Sequence, residues 1–433
     1  MANKCEYGVA VIGGGPAGLA AAIAAKELLP SPEGVLLIER DRVAGGILNQ
    51  CIHDGFGLHR FGEALSGPEY ASRFIDKADL LGVPMMLNTI VLGVSDKGEY
   101  KELLVSSRQG GLSVVRARAV VLAMGCRERP RGALSIPGHR PSGVYTAGAA
   151  QNLINLENIM PGRDVVILGS GDIGMIMARR MTLEGAKVEA VFELLPWASG
   201  LPRNIQQCLV DYGIPLYLGT TVVNILGMGR LEGVTVAEVG PDRKPKRGTE
   251  RFVPCDTLLL SVGLIPENEL ARAAGVEMNP ITGGPVVDAD CMTSVSGVFS
   301  CGNALHVHDL VDFVSEEAER AGRAAAEYLS KPSQQGTSTP SVAVRPAAGV
   351  RYTVPNRIAL PSSPASPPAS VAFRVNTPSR AGTVRLKVKD KVLAEETHAR
   401  LHPAEMVWMK LGPDALASLS DADTIEVSAN GSE

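Results

Sequence analysis

Paired cysteines are missing from this 433-residue chain: its seven (Cys5, Cys51, Cys126, Cys208, Cys255, Cys291 and Cys301) are scattered, odd in number and never form C-x-x-C. That pattern points away from a disulfide framework and from a cysteine-held zinc or iron-sulfur centre. An excess of one charge is missing too. The 42 basic and 46 acidic residues leave a formal net charge of -4, which creates no field to attract nucleic acid or anionic lipid. Long apolar runs are also absent. Lys4 and the stretch from Tyr7 to Ala25 have the outline of a secretory signal, but three consecutive glycines and Pro16 divide that stretch into a strand, a turn and a helix start. No other run reaches the ~18 to 20 residues of a membrane span. A cytoplasmic protein with no nucleic-acid partner and no membrane span is expected, free to form homo- or hetero-oligomers. Aromatic residues make up only 4% of the chain while glycine reaches 47 residues, a balance that suits tight turns and alanine-packed helices.

What is present is ample apolar material, 45% of the residues, enough for roughly three domains of ~150 residues. Strand-like runs at Val9 to Ile12, Val35 to Glu39, Val120 to Ala123, Val165 to Leu168, Val188 to Phe192 and Thr257 to Val262 alternate with helical patterns. An α/β fold with parallel sheets and helical crossovers is expected. After Leu329 the character changes. Pro, Ser and Ala dominate Lys331 to Pro340 and Leu360 to Ser370, which read as a linker and a flexible loop. Short strands at Val350 to Ile358, Val371 to Asn376, Thr383 to Val388 and Thr424 to Val427 then suggest a small C-terminal β domain.

Val9 to Leu19 reads V-A-V-I-G-G-G-P-A-G-L, with Gly13, Gly15 and Gly18 in G-x-G-x-x-G register between a strand and an alanine-rich helix opened by Pro16 and Ala17. Gly13 permits the sharp turn, Gly15 leaves room for a pyrophosphate, and Gly18 lets the helix approach the sheet. The helix N-terminus then presents N–H groups and a positive dipole end to the phosphates. About twenty residues later a strand ends in Glu39, a carboxylate placed to accept from a ribose hydroxyl, followed by Arg40. Arg163 to Gly174 repeats the pattern through Gly169, Gly171, Asp172, Ile173 and Gly174, and the next strand ends at Glu193 with no Arg or Lys directly after it. A carboxylate there accepts from a 2'-hydroxyl and repels a 2'-phosphate, so NAD(H) is expected over NADP(H).

From Glu39 to Gly46 the chain resembles the E-x-x-x-x-x-G-G stretch of the two-dinucleotide-binding flavoproteins, the thioredoxin and glutathione reductase superfamily, in which the glycine pair, here Gly45 and Gly46, runs beside the flavin of FAD. Thr293 to Asn303 resembles the T-S-x-x-G-I-[FY]-A-x-G-D segment that holds the ribityl chain. Gly302 is matched, whereas the usual Asp is Asn303, an amide that still accepts and donates but lacks the charge. Ala123-Met124-Gly125 resembles the superfamily's A-T-G turn, and Leu259 to Glu267, through Gly263, its A-x-G-x-x-P-N return segment. A helix beginning near Phe313, with Val314 in its first turn, would aim N–H groups at the reduced isoalloxazine.

The resemblance implies two Rossmann-like domains for FAD and NAD, the second inserted in the first. The expected boundaries are 1–155 and 271–330 for the FAD domain, 156–270 for the NAD domain, 331–345 for the linker and 346–433 for the β domain. The stretches Gly125 to Pro130 and Gly143 to Gln151 resemble segments of the large subunits of sarcosine oxidase, opine oxidase and hydrogen cyanide synthase. Gly45 to Leu58 and His306 to Asp312 resemble FAD/NAD oxidoreductases encoded beside glycerol-3-phosphate-dehydrogenase-like flavoproteins. This narrower resemblance implies an FAD-dependent NAD(P)H oxidoreductase that exchanges electrons with a partner flavoprotein subunit or a small-molecule substrate. Arg127 and Arg129 are candidates for an acidic substrate, a cofactor phosphate or a structural seam.

Disulfide reductases need a second sulfur to resolve the first, and only Cys51 follows Gly46 closely. Two readings stay open. Cys51, acidified by His53, cycles through a sulfenic acid in an NADH oxidase or peroxidase, or it is a packed thiol in a loop that shapes the flavin pocket. A third reading makes the nucleotide sites largely structural in a subunit that docks a partner. His306 and His308 offer a metal no third ligand from local spacing, so no metal is expected, and the loop is expected to hydrogen-bond near the flavin.

Overall fold

The computed structural model describes residues 7–330, 340–361 and 368–432. Strand Tyr7–Ile12 is flanked by parallel neighbours, Val35–Ile38 on one side and Gly111–Leu122 on the other, with Val9 opposite Val35 and Ala119. A strand in that position is covered on both faces, which is why it reads as an unbroken apolar run. Val9 and Val11 join a core with the alanines of helix Pro16–Leu28, whereas Ala10 and Ile12 pack with Val91, Leu103 and Val115 from the antiparallel strands. Gly111–Leu122 serves both halves of the sheet. Its start pairs antiparallel with Lys101–Ser107, and its end pairs parallel with Val298–Ser300. The later part of the chain thereby closes the sheet that the first part opened. Helix Val311–Tyr328 packs on it through Ala318, Ala321 and Ala325, side chains small enough to let it nest with Ala20, Ala21 and Ile23 of the first helix.

The chain divides into two compact units, Met1–Cys126 with Pro266–Glu433, and Arg127–Ile265. The second unit thus starts at Arg127, ahead of the boundary expected after residue 155, and ends at Ile265, short of residue 270. The reason is a three-residue strand, Val144–Thr146, that pairs parallel with Thr257–Leu260. The helix after it, Ala147–Asn155, then packs on Val165, Ile167 and Met175. The second sheet runs Leu216–Tyr217, Lys187–Phe192, Asp164–Leu168, Thr257–Leu260, Val144–Thr146, all in parallel. Its odd and even positions again face different cores: Val165 and Ile167 meet helices, while Val166 and Leu168 meet a three-stranded antiparallel sheet.

The C-terminal strands form two sheets around a core of Val342, Val344, Phe373, Leu386 and Val427. The first of them, Ser341–Pro346, begins inside the stretch expected as linker; residues 331–339 of that linker and 362–367 of the expected loop lie outside the described residues. Ala369 and Ser370, expected in the loop, already belong to strand Ala369–Val375. Two strands escape the sequence pattern, Lys391–His398 and Val407–Leu411. Asn356 ties this region to the segment around Val287 in the same unit, its N–H donating to Val287 O at 2.9 Å and its Oδ1 accepting from Val287 N at 3.3 Å. Among the described residues no helix is long and apolar enough to cross a membrane.

Candidate functional site

The first glycine turn folds as its spacing requires. Gly13 has φ +105°, and a Cβ there would lie 2.4 Å from Ala123 O; a Cβ on Gly18 would lie 1.6 Å from Gly13 O. Gly15 differs, because its Cβ would meet only Gly46 Cα, at 3.9 Å. The space beside it is a cradle that a side chain would fill. Helix Pro16–Leu28 starts there with Gly15 at its N-cap and no side-chain cap, leaving its terminal N–H groups and dipole available to an anion. Glu39 is buried at the end of the neighbouring strand, its Oε2 accepting from Gly14 N at 2.5 Å and its Oε1 from Asp41 N at 2.8 Å. Arg40 beside it is exposed.

Three distant segments converge on this turn. Gly45 N donates to Gly14 O at 2.8 Å, and a Cβ on Gly46 would come within 2.9 Å of Gly15 Cα, so the Gly45–Gly46 pair runs directly against the turn. Gly302, at φ +64°, would place a Cβ 2.7 Å from Ala17 Cβ and 3.3 Å from Val314 Cγ1. Ala123 is buried under Gly13, and Gly125, at φ +71°, borders open space. Asn303 is oriented by its own contacts, with Oδ1 accepting from His308 N at 3.0 Å and Nδ2 donating to Cys126 Sγ at 3.6 Å. The amide thus uses one acceptor and one donor internally and keeps a second of each. The open space at Gly15 has room for a pyrophosphate, Glu39 beside the turn could meet a ribose, and Asn303, next to the Gly302 that packs on Ala17, could meet a ribityl chain. These donors and this cradle suit FAD.

The second turn repeats the arrangement within its own unit. Gly169, at φ +96°, would set a Cβ 2.1 Å from Ser261 O, and Gly174 one 2.6 Å from Ser261 Cβ. Helix Asp172–Leu183 begins after Gly171, again without a side-chain cap. Glu193 is buried like Glu39, and it is held in the same way, by the N–H of the middle turn residue and by the N–H two positions beyond itself. Oε2 accepts from Ser170 N at 2.9 Å, Ser170 Oγ at 2.6 Å and Ser199 Oγ at 2.8 Å, and Oε1 from Leu195 N at 2.9 Å. Asp172 fastens the segment that follows, its Oδ1 accepting from Leu201 N at 2.8 Å and Asn204 Nδ2 at 2.6 Å. Ile173 is half-buried, and Gly263 borders open space at φ +99°. Ser170, Ser199, Asn204 and Ser261 were not singled out from the sequence. Only Ser170, the x of G-x-G, and Ser261, at the first position of the A-x-G-x-x-P-N-like segment, carried a signal.

Arg127 is exposed and Arg129 half-buried, its N–H donating to Gly263 O at 3.0 Å. Glu128 between them accepts from Gly148 N at 2.9 and 2.8 Å, capping helix Ala147–Asn155. Cys51 Sγ is buried, donates to Ile47 O at 3.3 Å, and has its pKa pushed up to about 12 by burial, which favours the packed thiol over the acidified thiolate. His53 has Nδ1 3.1 Å from Asp54 O and its ring against Phe56. The loop is folded onto helix Val311–Tyr328 instead, where the Asp312 carboxylate accepts from Gly57 N and Arg60 N, and Arg60 pairs with Glu319. Cys51→Ser is therefore expected to leave flavin reduction by NADH intact and any NADH-dependent peroxide turnover within about twofold of wild type. Steady-state NADH oxidation with peroxide checks this, and abolished turnover with flavin reduction intact would establish the redox reading.

Two uncapped helix starts, each opened by a glycine turn and each guarded by a buried carboxylate, define a protein that holds two dinucleotides on two Rossmann-like units. The chain belongs to the pyridine nucleotide-disulphide oxidoreductase family, whose profile matches residues 7–327. Membership implies binding of FAD and a pyridine nucleotide, although the cysteine pair of the disulphide reductases is absent. The chain is 28% identical over 346 residues to an opine oxidase subunit of Agrobacterium tumefaciens (strain Ach5), covering 74% of this chain and 64% of that protein. It is 28% identical over 291 residues to hydrogen cyanide synthase subunit HcnB of Pseudomonas protegens, covering 62% of this chain and 59% of that protein. It thus spans somewhat under two thirds of these relatives. The fold is that of T. acidophilum thioredoxin reductase, with a TM-score of 0.62 at 21% identity, over 75% of this chain and 99% of that one.

Proposed function

We propose that this chain is an FAD-dependent oxidoreductase that moves electrons between NAD(H) and a partner flavoprotein or small-molecule substrate. The observation that carries the reading is the duplicated turn, in which Gly14 N with Asp41 N and Ser170 N with Leu195 N hold two buried carboxylates in matching poses. When bound, the nicotinamide and flavin supply the hydride chemistry. The chain's own contribution is to bind and orient. The uncapped helix starts at Pro16 and Asp172 would hold the phosphates, and Gly15 leaves bare backbone and open space for one of them. Glu193, fixed by four donors, favours a free 2'-hydroxyl over a 2'-phosphate and so favours NAD(H). No side-chain acid or base is needed for this half-reaction.

The matched relatives are by name components of larger enzymes, and this favours another polypeptide of the same assembly as the electron-transfer partner. Anaerobic mixing of the purified flavin-loaded protein with NADH is expected to bleach the flavin absorbance within seconds. Absence of bleaching with both NADH and NADPH would defeat the proposal. Slow bleaching in the isolated chain that accelerates when a copurifying polypeptide is restored would favour the partner-dependent form.

A further inference from the structure

The loop after Gly302 and the helix that follows bring together three groups that the nucleotide reading leaves without a task. The side chains of His306, His308 and Glu317 are at most 1% exposed, and their donor atoms lie within 4.8 Å of one another. His306 Nε2 is 2.8 Å from Glu317 Oε2, and His308 Nε2 is 3.5 Å from the same oxygen. The third ligand absent from the local spacing is thus supplied by helix Val311–Tyr328. We infer that His306, His308 and Glu317 form a binding site for one divalent transition-metal ion of the zinc type.

The protons decide the matter. His308 Nδ1 lies 3.0 Å from the carbonyl oxygen of His306; a carbonyl only accepts, so Nδ1 carries the hydrogen and the neutral ring keeps its lone pair on Nε2. That lone pair faces the Glu317 carboxylate across 3.5 Å, and His308 Nε2 has no hydrogen-bond partner. Two electron-rich atoms facing each other in a dry interior repel unless a cation lies between them. A proton on Nε2 would make a poor bond at that length, since N–H···O bonds cluster at about 2.7 to 3.2 Å. A metal bound at about 2.0 to 2.1 Å to each donor separates tetrahedral ligands by roughly 3.3 Å, a value between the two observed distances.

The surroundings agree. A metal-bound imidazole is ordinarily oriented by a hydrogen bond from its other nitrogen to a carbonyl or carboxylate, as His308 is. Glu317 is oriented as well, its Oε1 accepting from Gly302 N at 2.8 Å. His306 Nδ1 has no hydrogen-bond partner, and Nε2, 2.8 Å from Glu317 Oε2, is the nitrogen that faces the carboxylate. Arg320 acts on Glu317, and Arg374 on His306, through charge alone, and neither guanidinium donates a hydrogen bond to the three side chains. Arg374 donates to Val307 O and Pro403 O and pairs with Asp309, and Arg320 Nη2 is directed at Cys291 Sγ. Two imidazoles and one carboxylate suit zinc or a neighbouring first-row ion better than calcium or magnesium, and leave one coordination position open. The ion would join the loop to the helix, and with them Gly302 and Asn303, which hydrogen-bond Glu317 and His308 at the edge of the first nucleotide site.

Elemental analysis of the untagged full-length protein, produced in zinc-supplemented medium and purified without chelator, is expected to find about one equivalent of divalent metal per chain. His308→Ala and Glu317→Gln are each expected to lower it below roughly a tenth of an equivalent, while His59→Ala, on an exposed side chain, leaves it unchanged. A wild-type protein with less than about a tenth of an equivalent overturns the inference without reference to any variant. Metal retained by both soluble variants overturns it too. Neither readout depends on reduction by NADH, so this site and the proposed activity stand or fall separately.

Discussion

Replacing Gly15 by valine is expected to yield a folded protein that comes out colourless. The position is the one glycine of the first turn where a side chain meets almost nothing of the protein itself, with Gly46 Cα at 3.9 Å as its sole neighbour within 4 Å among the described residues. Its backbone, at φ -75° and ψ -172°, is extended and accepts a β-branched residue without strain. The isopropyl group therefore occupies the cradle and leaves the sheet and helix as they are. Substitution at Gly13 or Gly18 would be a poorer experiment, because a Cβ there drives into backbone oxygens at 2.4 and 1.6 Å, so the turn itself would fail. The expected loss of flavin affinity is at least about 100-fold, roughly 2.7 kcal/mol. The flavin-to-protein absorbance ratio reads it, and thermal melting against flavin-stripped wild type checks the fold. A yellow, fully loaded variant would show that no phosphate passes Gly15.

The turns were legible because their cause is local. A glycine needed for positive φ or for close approach, a strand before it and a carboxylate about twenty residues on are all written within short windows, and Glu39 and Glu193 stand where that spacing put them. What escaped is non-local or unpatterned. Val144–Thr146 is too short to announce which sheet it joins, and its pairing with Thr257–Leu260 moves the start of the second unit to Arg127. Lys391–His398, K-V-L-A-E-E-T-H, is an edge strand whose charges hide its alternation, as edge strands often do. Glu317 lies eleven positions beyond His306 on a helix whose inward face is set by packing, so no spacing rule joins the two. Cys51 could not be decided from the sequence for a different reason. The sequence placed a histidine two residues away, but burial, which a sequence does not state, moves the thiol's pKa upward and outweighs any such acidification.

Burial gives Glu193 the opposite role, and the second large effect is expected there. Its carboxylate takes four hydrogen bonds from the turn and the loop beyond it, two from backbone N–H groups and two from serine hydroxyls. Glu193→Ala leaves those donors to find other partners and removes the negative charge that the proposed function sets against the ribose. Hydrogen bonds to a charged group contribute about 1.5 to 3 kcal/mol each, so losing the ribose contact alone weakens NADH binding by roughly 10- to 100-fold. The NADH concentration giving half-maximal flavin reduction should rise by that factor. The preference for NADH over NADPH should fall toward parity, because the repulsion of a 2'-phosphate goes with the carboxylate. Flavin content should not change, since Glu39 and its turn belong to the other unit. The pattern separates a binding role from general damage: a variant that loses its flavin has been destabilised as a whole, whereas one that keeps it and still discriminates against NADPH shows that another group reads the 2'-position. Wild type reducing equally fast with both nucleotides at low concentration would already refute the assignment of Glu193.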